Sequence, residues 1–320
     1  MVLAQSLFKL LALRYPGSAI DVLAPEWSEP LLTRMPEVRA ALLFPIGHGE
    51  LKLKERIAWG RRLRDRAYDQ AIVLTNSLKS ALIPWVAQIR RRTGFRGEWR
   101  YGLLNDRRDL DARVLPRTVD RFLALGLEPG ESRPDPIPFP KLIVRRENAF
   151  AVLEKMRYPR PSAAILGLCP GAEFGAAKRW PVEYFAEVAR TKLDSGWAVW
   201  LFGSTKDAAV TAEIQNLTDG RCVDFGGRTS LAEAIDLMSL TETVVSNDSG
   251  LMHVAAALGR NLVAIFGSSD PRHTPPMSPA ARIMYLDIEC SPCFKRECPY
   301  GHYRCLRDLR PAQILSAMVA

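Results

Sequence analysis

The sequence predicts an α/β protein made of two lobes in tandem. Short apolar runs of strand type alternate with amphipathic stretches at helical spacing along the whole chain. That rhythm breaks once, at five prolines between 129 and 140, and then restarts. A length of 320 residues fits two domains of ordinary size, each with its own core.

In the first lobe, Val2, Leu3, Leu7, Leu10 and Leu11 fall on one face of a helix over 2–13. Residues 19–24 (AIDVLA) read as a buried strand, and 25–35 as a helix with Pro25 near its start. A strand at 41–45, an amphipathic helix at 51–67 and a strand at 70–74 follow, then a helix to about Ile89 capped by Asn76 or Ser77. Prolines 129, 134, 136, 138 and 140 exclude a regular helix or central strand and place the linker there, giving lobes 1–140 and 141–320. In the second lobe, strands are predicted at 162–168, 197–202, 222–225, 243–246 and 262–266. Helices lie between them at 181–193, 206–217, 231–240 and 250–258, and Ser230 with Glu233 forms a capping-box pattern. Such alternation implies parallel sheets covered by helices on both faces, with a cleft between the lobes. The sequence holds no internal repeat and no low-complexity segment.

No apolar run is long enough to span a bilayer. The first residues have neither a basic leader nor a small-residue cleavage site, so a cytoplasmic location is expected. The net charge of +9 is unevenly spread. Residues 1–160 carry 29 Lys and Arg against 18 Asp and Glu, whereas 161–320 carry 15 against 17. The excess fits either a solvated basic surface or an anionic partner such as nucleic acid, phosphorylated lipid or a membrane face. Nucleic acid is disfavoured, because neither aromatic stacking motifs nor a recognition helix accompany the charge.

In open parallel sheets ligands sit beyond the carboxyl ends of strands, and three loops of the second lobe leave such ends. The first, 169–181, has Gly171 and Gly175 for close backbone approach and Lys178 just before a helix, where an ammonium can meet a phosphate. The second, 203–207, has Gly203 at the turn and Asp207, which suits either a ribose diol or the cap of the next helix. The third opens with Asn247 and Asp248. There Ser249, Gly250 and Leu251 would aim free N–H groups outward at a pyrophosphate, with His253 one turn along. A carboxylate beside an anion site makes sense where a polyol lies next to the phosphates. The combination points to a nucleotide sugar.

The strings PGAEFGAAKRWP and NDSGLMHVAAALGRNLVAIFGSSDP resemble those of the bacterial ADP-heptose:lipopolysaccharide heptosyltransferases, glycosyltransferase family 9, and within it the type II enzymes. Stretches at 47–64, 68–84, 91–106 and 290–306 extend the resemblance over essentially the whole chain. It implies two Rossmann-like lobes of the GT-B type. It also implies inverting, metal-independent transfer of L-glycero-D-manno-heptose from ADP-heptose to the first heptose of the lipopolysaccharide inner core, with no cofactor. Carried over, Lys178 neutralises the leaving ADP, Asp207 holds the ribose, Asp248 the heptose, and the backbone at 249–251 the diphosphate. The anionic acceptor accounts for the basic first half, with Lys52, Lys54, Lys79, Arg96 and Arg100 as acceptor-side residues. The lipopolysaccharide precursor and the anionic inner-membrane surface are the expected partners, with peripheral attachment there. Family members begin with a strand, a glycine loop and an Asp that serves as general base. The expectation is that this chain starts after them, and that Asp21, inside a strand, is a poor substitute. A non-catalytic ADP-sugar-binding protein is therefore the second reading.

Cys290, Cys293, Cys298 and Cys305 lie together with His302 between them. The first pair has CxxC spacing and allows a zinc, but the later spacings match no standard finger; reduced thiols in a packed loop are the alternative. Cys169 and Cys222 are expected in the core.

Overall fold

The computed structural model describes residues 1–45 and 49–319, apart from the side chain of Val319. Gly47 and His48, which open one of the resemblance stretches, lie outside the described residues. The chain forms two compact units that divide between Pro138 and Phe139, with Val2 and Arg34–Pro36 grouped with the second. The proline-rich stretch 129–140 carries neither helix nor strand.

Unit 1 holds two parallel sheets. One pairs β1 (Ile20–Pro25) with β2 (Val38–Phe44); the other has the order β3 (Gln70–Val73), β4 (Arg91–Phe95), β5 (Asp106–Arg108). Strands β4 and β5 were not expected, because their sequences, RRTGF and DRR, lack an apolar run. Helices Leu53–Arg64 and Leu78–Val86 pack with Phe44, Leu63, Ile83, Ala87 and Ile89 as their shared core. Their close approach rests on Gly60, where an added Cβ would lie 2.5 Å from Val86 Cβ and 2.9 Å from the Ile83 carbonyl oxygen. The expected caps at Asn76 and Ser77 are not formed by those side chains. Glu98 does the work instead, its carboxylate accepting the Leu78 N–H at 2.8 Å.

Unit 2 is one six-stranded parallel sheet. Its strands are β6 (Ile165–Cys169), β7 (Ala198–Leu201), β8 (Val223–Asp224), β9 (Thr243–Asn247), β10 (Asn261–Phe266) and β11 (Ala281–Tyr285), in the order β11-β10-β9-β6-β7-β8. Numbered within the unit this is 6-5-4-1-2-3, the dinucleotide-fold order, whose direction of winding reverses between β6 and β9. Every residue of β6 and β9 is buried, as expected of central parallel strands covered on both faces. Trp180, Phe185, Val188, Leu201, Ile214 and Ile265 build the core on one face. The predicted capping box forms: Ser230 Oγ accepts the Glu233 N–H at 3.3 Å, and the Glu233 carboxylate accepts the Ser230 N–H at 2.8 Å. Among the described residues no helix is long and apolar enough to cross a membrane.

Gly60→Ala is expected to destabilise the protein by about 1–3 kcal/mol through overpacking. In an open helix the same change would stabilise by about 1 kcal/mol. Urea denaturation decides by the sign.

Candidate functional site

Register brings the predicted loops together. Cys169 at the end of β6 pairs with Ser246 in β9, so the loops that start at Pro170 and Asn247 leave the sheet side by side at the point where the winding reverses. Asn247 fastens them. Its side chain is fully buried; Nδ2 donates to the Pro170 carbonyl at 2.7 Å and Oδ1 accepts the Trp180 N–H at 3.1 Å. One amide thereby holds both ends of the loop carrying Lys178.

Lys178 and Asp248 meet across this junction, Nζ to Oδ2 at 2.5 Å, with both side chains largely buried. The Ser269 hydroxyl donates to the same carboxylate oxygen at 2.5 Å. Lys178 Nζ also sits 4.9 Å from the centroid of the Phe174 ring. Sequence reasoning missed Ser269 and Phe174. Ser269 had a usable signal: it follows β10, whose carboxyl end adjoins β9 at the same edge of the sheet. Three backbone bonds lace this wall: Ala177 N–H to Arg296 O at 2.9 Å, Ser268 N–H to Ala177 O at 3.1 Å, and Phe294 N–H to Ser268 O at 2.7 Å.

The glycines differ in what crowds them. A Cβ on Gly171 would lie 2.3–2.6 Å from the carboxyl atoms of Asp207, so the first and second loops touch there. Gly175 has φ +152, and a Cβ would meet the Arg296 carbonyl oxygen at 2.3 Å. Gly203 packs beneath Asp207, while Gly250 faces open space. Asp207 forms the helix cap, Oδ2 accepting the Ser204 N–H at 3.0 Å and its hydroxyl at 2.7 Å.

Helix Gly250–Ala257 begins at this junction. Its N-cap, Ser249, accepts no N–H from the first turn, unlike Ser230 at its own helix, so the donors at the start of the helix are left for another acceptor. His253 stands in that first turn. Burial pushes its pKa down to about 4 against the pull of Asp248, and its Nδ1 is buried with no partner among the described residues. At neutral pH it offers a hydrogen bond, not a charge. Together these groups present backbone donors and an ammonium on one side and a carboxylate with a hydroxyl on the other.

The basic residues of unit 1 divide into two kinds. Lys52 precedes helix Leu53–Arg64 and pairs with Glu50 at 3.0 Å, Lys54 is exposed, and Lys79 lies in the first turn of helix Leu78–Val86. The two helix starts are tied by buried Arg56, which donates to the carbonyls of Leu51 (2.6 Å), Glu50 (3.1 Å) and Lys79 (3.2 Å). Arg96 is exposed and pairs with Asp109 at 3.0 Å. Arg100 corrects the sequence reading. It is only 2% exposed, and its guanidinium donates to the carbonyls of Thr75 and Phe95 and to Asn76 Oδ1, so its donors fasten a loop from within. Asp21 is likewise committed, bound by Arg39 at 2.6 and 2.8 Å and by the Tyr68 hydroxyl, which holds its carboxyl below the usual range.

Among the described residues no three His, Cys, Asp or Glu groups are placed to hold a metal ion. Cys290 Sγ approaches His302 Nε2 at 4.0 Å and Cys298 Sγ approaches Nδ1 at 3.9 Å, so these thiols flank opposite edges of one ring. Cys305 is buried, and burial followed by the neighbouring thiols pushes it up to about 11. All six cysteines are free, and Cys169 and Cys222 are buried as expected.

A sheet in the dinucleotide-fold order, with a lysine and an open helix N-terminus at its reversal point, defines the class of α/β protein, and the similarities narrow it to glycosyltransferases. Residues 56–304 match Glycosyltransferase family 9 (heptosyltransferase), and the chain belongs to that family. It is 44% identical to lipopolysaccharide heptosyltransferase 2 of Escherichia coli (strain K12), over 100% of this chain and 94% of that protein. It is 42% identical to lipooligosaccharide heptosyltransferase 2 of Haemophilus influenzae, over 99% and 94%. The solved structure of E. coli ADP-heptose lps heptosyltransferase II superposes with a TM-score of 0.88 at 41% identity, covering 99% of this chain and 93% of that one. The expected fold class, α/β with Rossmann-like units of the GT-B type, is borne out by that match.

Asn247→Ala is expected to cost on the order of 2–4 kcal/mol, since it strands the Pro170 carbonyl and the Trp180 N–H together. Amide exchange over 170–180 should quicken. Unchanged protection there would remove the clamp role.

Proposed function

We propose that the chain transfers L-glycero-D-manno-heptose from ADP-heptose to the first heptose of the lipopolysaccharide inner core, with inversion and without a divalent metal. The observation that carries this reading is the convergence of Lys178, Asp248 and the uncapped helix Gly250–Ala257 at the sheet's reversal point. The similar proteins, heptosyltransferases of lipopolysaccharide and one of them named for ADP-heptose, support a heptose donor and a lipopolysaccharide acceptor.

The diphosphate lies against the backbone at Ser249, Gly250 and Leu251, where helix donors and dipole favour an anion. Lys178 offsets the charge that builds on ADP as the bond to the anomeric carbon breaks, and such fixed positive groups do their work in the transition state. Asp248 and Ser269 receive heptose hydroxyls. A diphosphate beside Lys178 offers its ammonium a second anionic partner and releases Asp248 for that task. Asp207 takes the ribose, close to Gly171 and Gly203, while the lack of a side chain at Gly175 lets the Lys178 loop pass. His253 contributes a neutral hydrogen bond. On the acceptor side, Lys52, Lys54, Lys79 and Arg96 meet the carboxylates and phosphates of the lipid-linked core, at the cytoplasmic face of the inner membrane. Donor binding without transfer is not favoured, because the family match at 56–304 runs through both units.

Incubation with ADP-heptose and a core acceptor carrying one heptose tests the reading: mass spectrometry should find the acceptor one heptose heavier, with one ADP released per transfer. ADP release without that gain sinks it. Lys178→Ala should lower kcat by about 10²–10³-fold, the usual cost of losing one transition-state charge partner. Lys178→Arg should recover part of the rate, and an alanine variant at wild-type rate would remove Lys178 from the mechanism.

A further inference from the structure

The loop after β4 is built as a platform that shows two aromatic rings to solvent. Trp99 is 85% exposed and Tyr101 64%, with ring centroids 6.3 Å apart and planes at 66°. The guanidinium of Arg107 lies 5.2 Å from the Tyr101 centroid. These groups and Arg96 surround a pocket of about 190 Å³ floored by buried Phe95 and Leu104.

Nothing in folding asks for this exposure. Glu98 and Trp99 are consecutive non-glycine residues in the left-handed region, with φ of 39° and 55°. That conformation persists only where the surroundings impose it, and it clusters at functional sites. Here they do impose it. Arg100 is buried and bonded to the carbonyls of Thr75 and Phe95, Glu98 is fixed on the Leu78 N–H, and the Arg96 N–H donates to the Arg108 carbonyl at 2.8 Å. The platform is thus rigid, and it stands at the carboxyl end of a parallel strand, where ligands of such sheets sit.

We infer that this pocket is a subsite for an acidic saccharide: the apolar face of a sugar ring lies against Trp99 and Tyr101, and its carboxylate or phosphate meets Arg107 and Arg96. Aromatic faces take an apolar ring surface, and arginine takes a planar or tetrahedral anion through paired N–H donors. Glu98, already bound to a backbone N–H, and Asp109, paired with exposed Arg96 at 3.0 Å, are outnumbered by Arg96, Arg100 and Arg107. The inference rests on the transferase reading above for the assignment of this saccharide to the acceptor, and on the pocket itself for its chemistry.

The test measures binding by calorimetry to the full chain and to three exposed-site variants. The probes are Kdo as a sugar carboxylate, glucosamine 1-phosphate as a sugar phosphate, neutral heptose, and phosphatidylglycerol vesicles. At least one acidic sugar should bind more tightly than heptose, and which one identifies the anion. Trp99→Ala should weaken it about tenfold, a usual stacking contribution, and Trp99→Tyr should restore most of the loss. Arg107→Gln should erase the preference for acidic over neutral sugar. No sugar binding by the wild type, unchanged binding by Trp99→Ala, or loss of vesicle binding alone would overturn the inference; the last would make the loop a membrane anchor. Transfer assays run alongside separate the two readings. A wild type that binds acidic sugar at Trp99 but transfers no heptose sinks only the transferase reading. A Trp99→Ala variant with wild-type acceptor KM sinks only the subsite.

Discussion

The loop that carries Lys178 in the second unit depends on one buried amide. Asn247 ends β9 and spans to β6 and back, donating to Pro170 and accepting from Trp180. A carboxylate could not donate to the carbonyl, and an aliphatic side chain could do neither; the amide serves one partner with Nδ2 and the other with Oδ1. The bonds are short in sequence from Lys178 on one side and adjacent to Asp248 on the other. Their geometry therefore fixes the distance between the two charged groups of the site. Without them the loop 169–181 would be held chiefly by its backbone bonds to Ala177 and by the Trp180 indole, whose Nε1 donates to the Leu309 carbonyl at 2.8 Å.

The Lys178–Asp248 pair adds little net stability, since largely buried ion pairs roughly break even against the loss of solvation. What the pair does is hold an ammonium in a fixed place before any ligand arrives, with Ser269 as a second donor to the carboxylate. Charge that is already oriented costs no reorganisation when negative charge grows on a leaving group. The neutral state of His253 belongs to the same design, since a second fixed cation in the first helical turn would compete with Lys178 for Asp248.

Much of this was legible from the sequence, and the parts that were not share a cause. Central strands such as ILGLC and TVVSN announce themselves because both faces are buried, so apolar residues run without alternation. The glycines and Lys178 were visible because each stands just past such a run. Strand β4 was not, because Arg91 and Arg92 are satisfied within the fold: Arg91 by Asp106 and Glu128, Arg92 by the Leu103 and Ile89 carbonyls. Asn247 was read only as the opening of a loop, and its clamp depends on Trp180, 67 positions away. Glu98 displaced the expected Ser77 cap for the same reason, acting from 20 residues along the chain. Local patterns reveal what a residue prefers, while long-range partners decide which preference is used.

The arginines of the first half carry that lesson into function. Residues 1–160 hold 11 more cationic than anionic side chains, which by itself invites a strongly attractive surface. Arg56, Arg92 and Arg100 instead spend their donors on backbone carbonyls, as cross-links between loops that ordinary side-chain amides could not span. Arg39, Arg91 and Arg117 are matched by Asp21, Asp106 and Asp120. Charge counted along the chain therefore overstates what meets a ligand. Among what remains are lysines at the starts of two helices tied by Arg56, and an aromatic platform held in place by Arg100. A buried arginine that shapes a loop from its carbonyls leaves the loop's own side chains free to face outward, and this is how Trp99 comes to be exposed beside Arg107 on a protein whose other large rings are mostly covered.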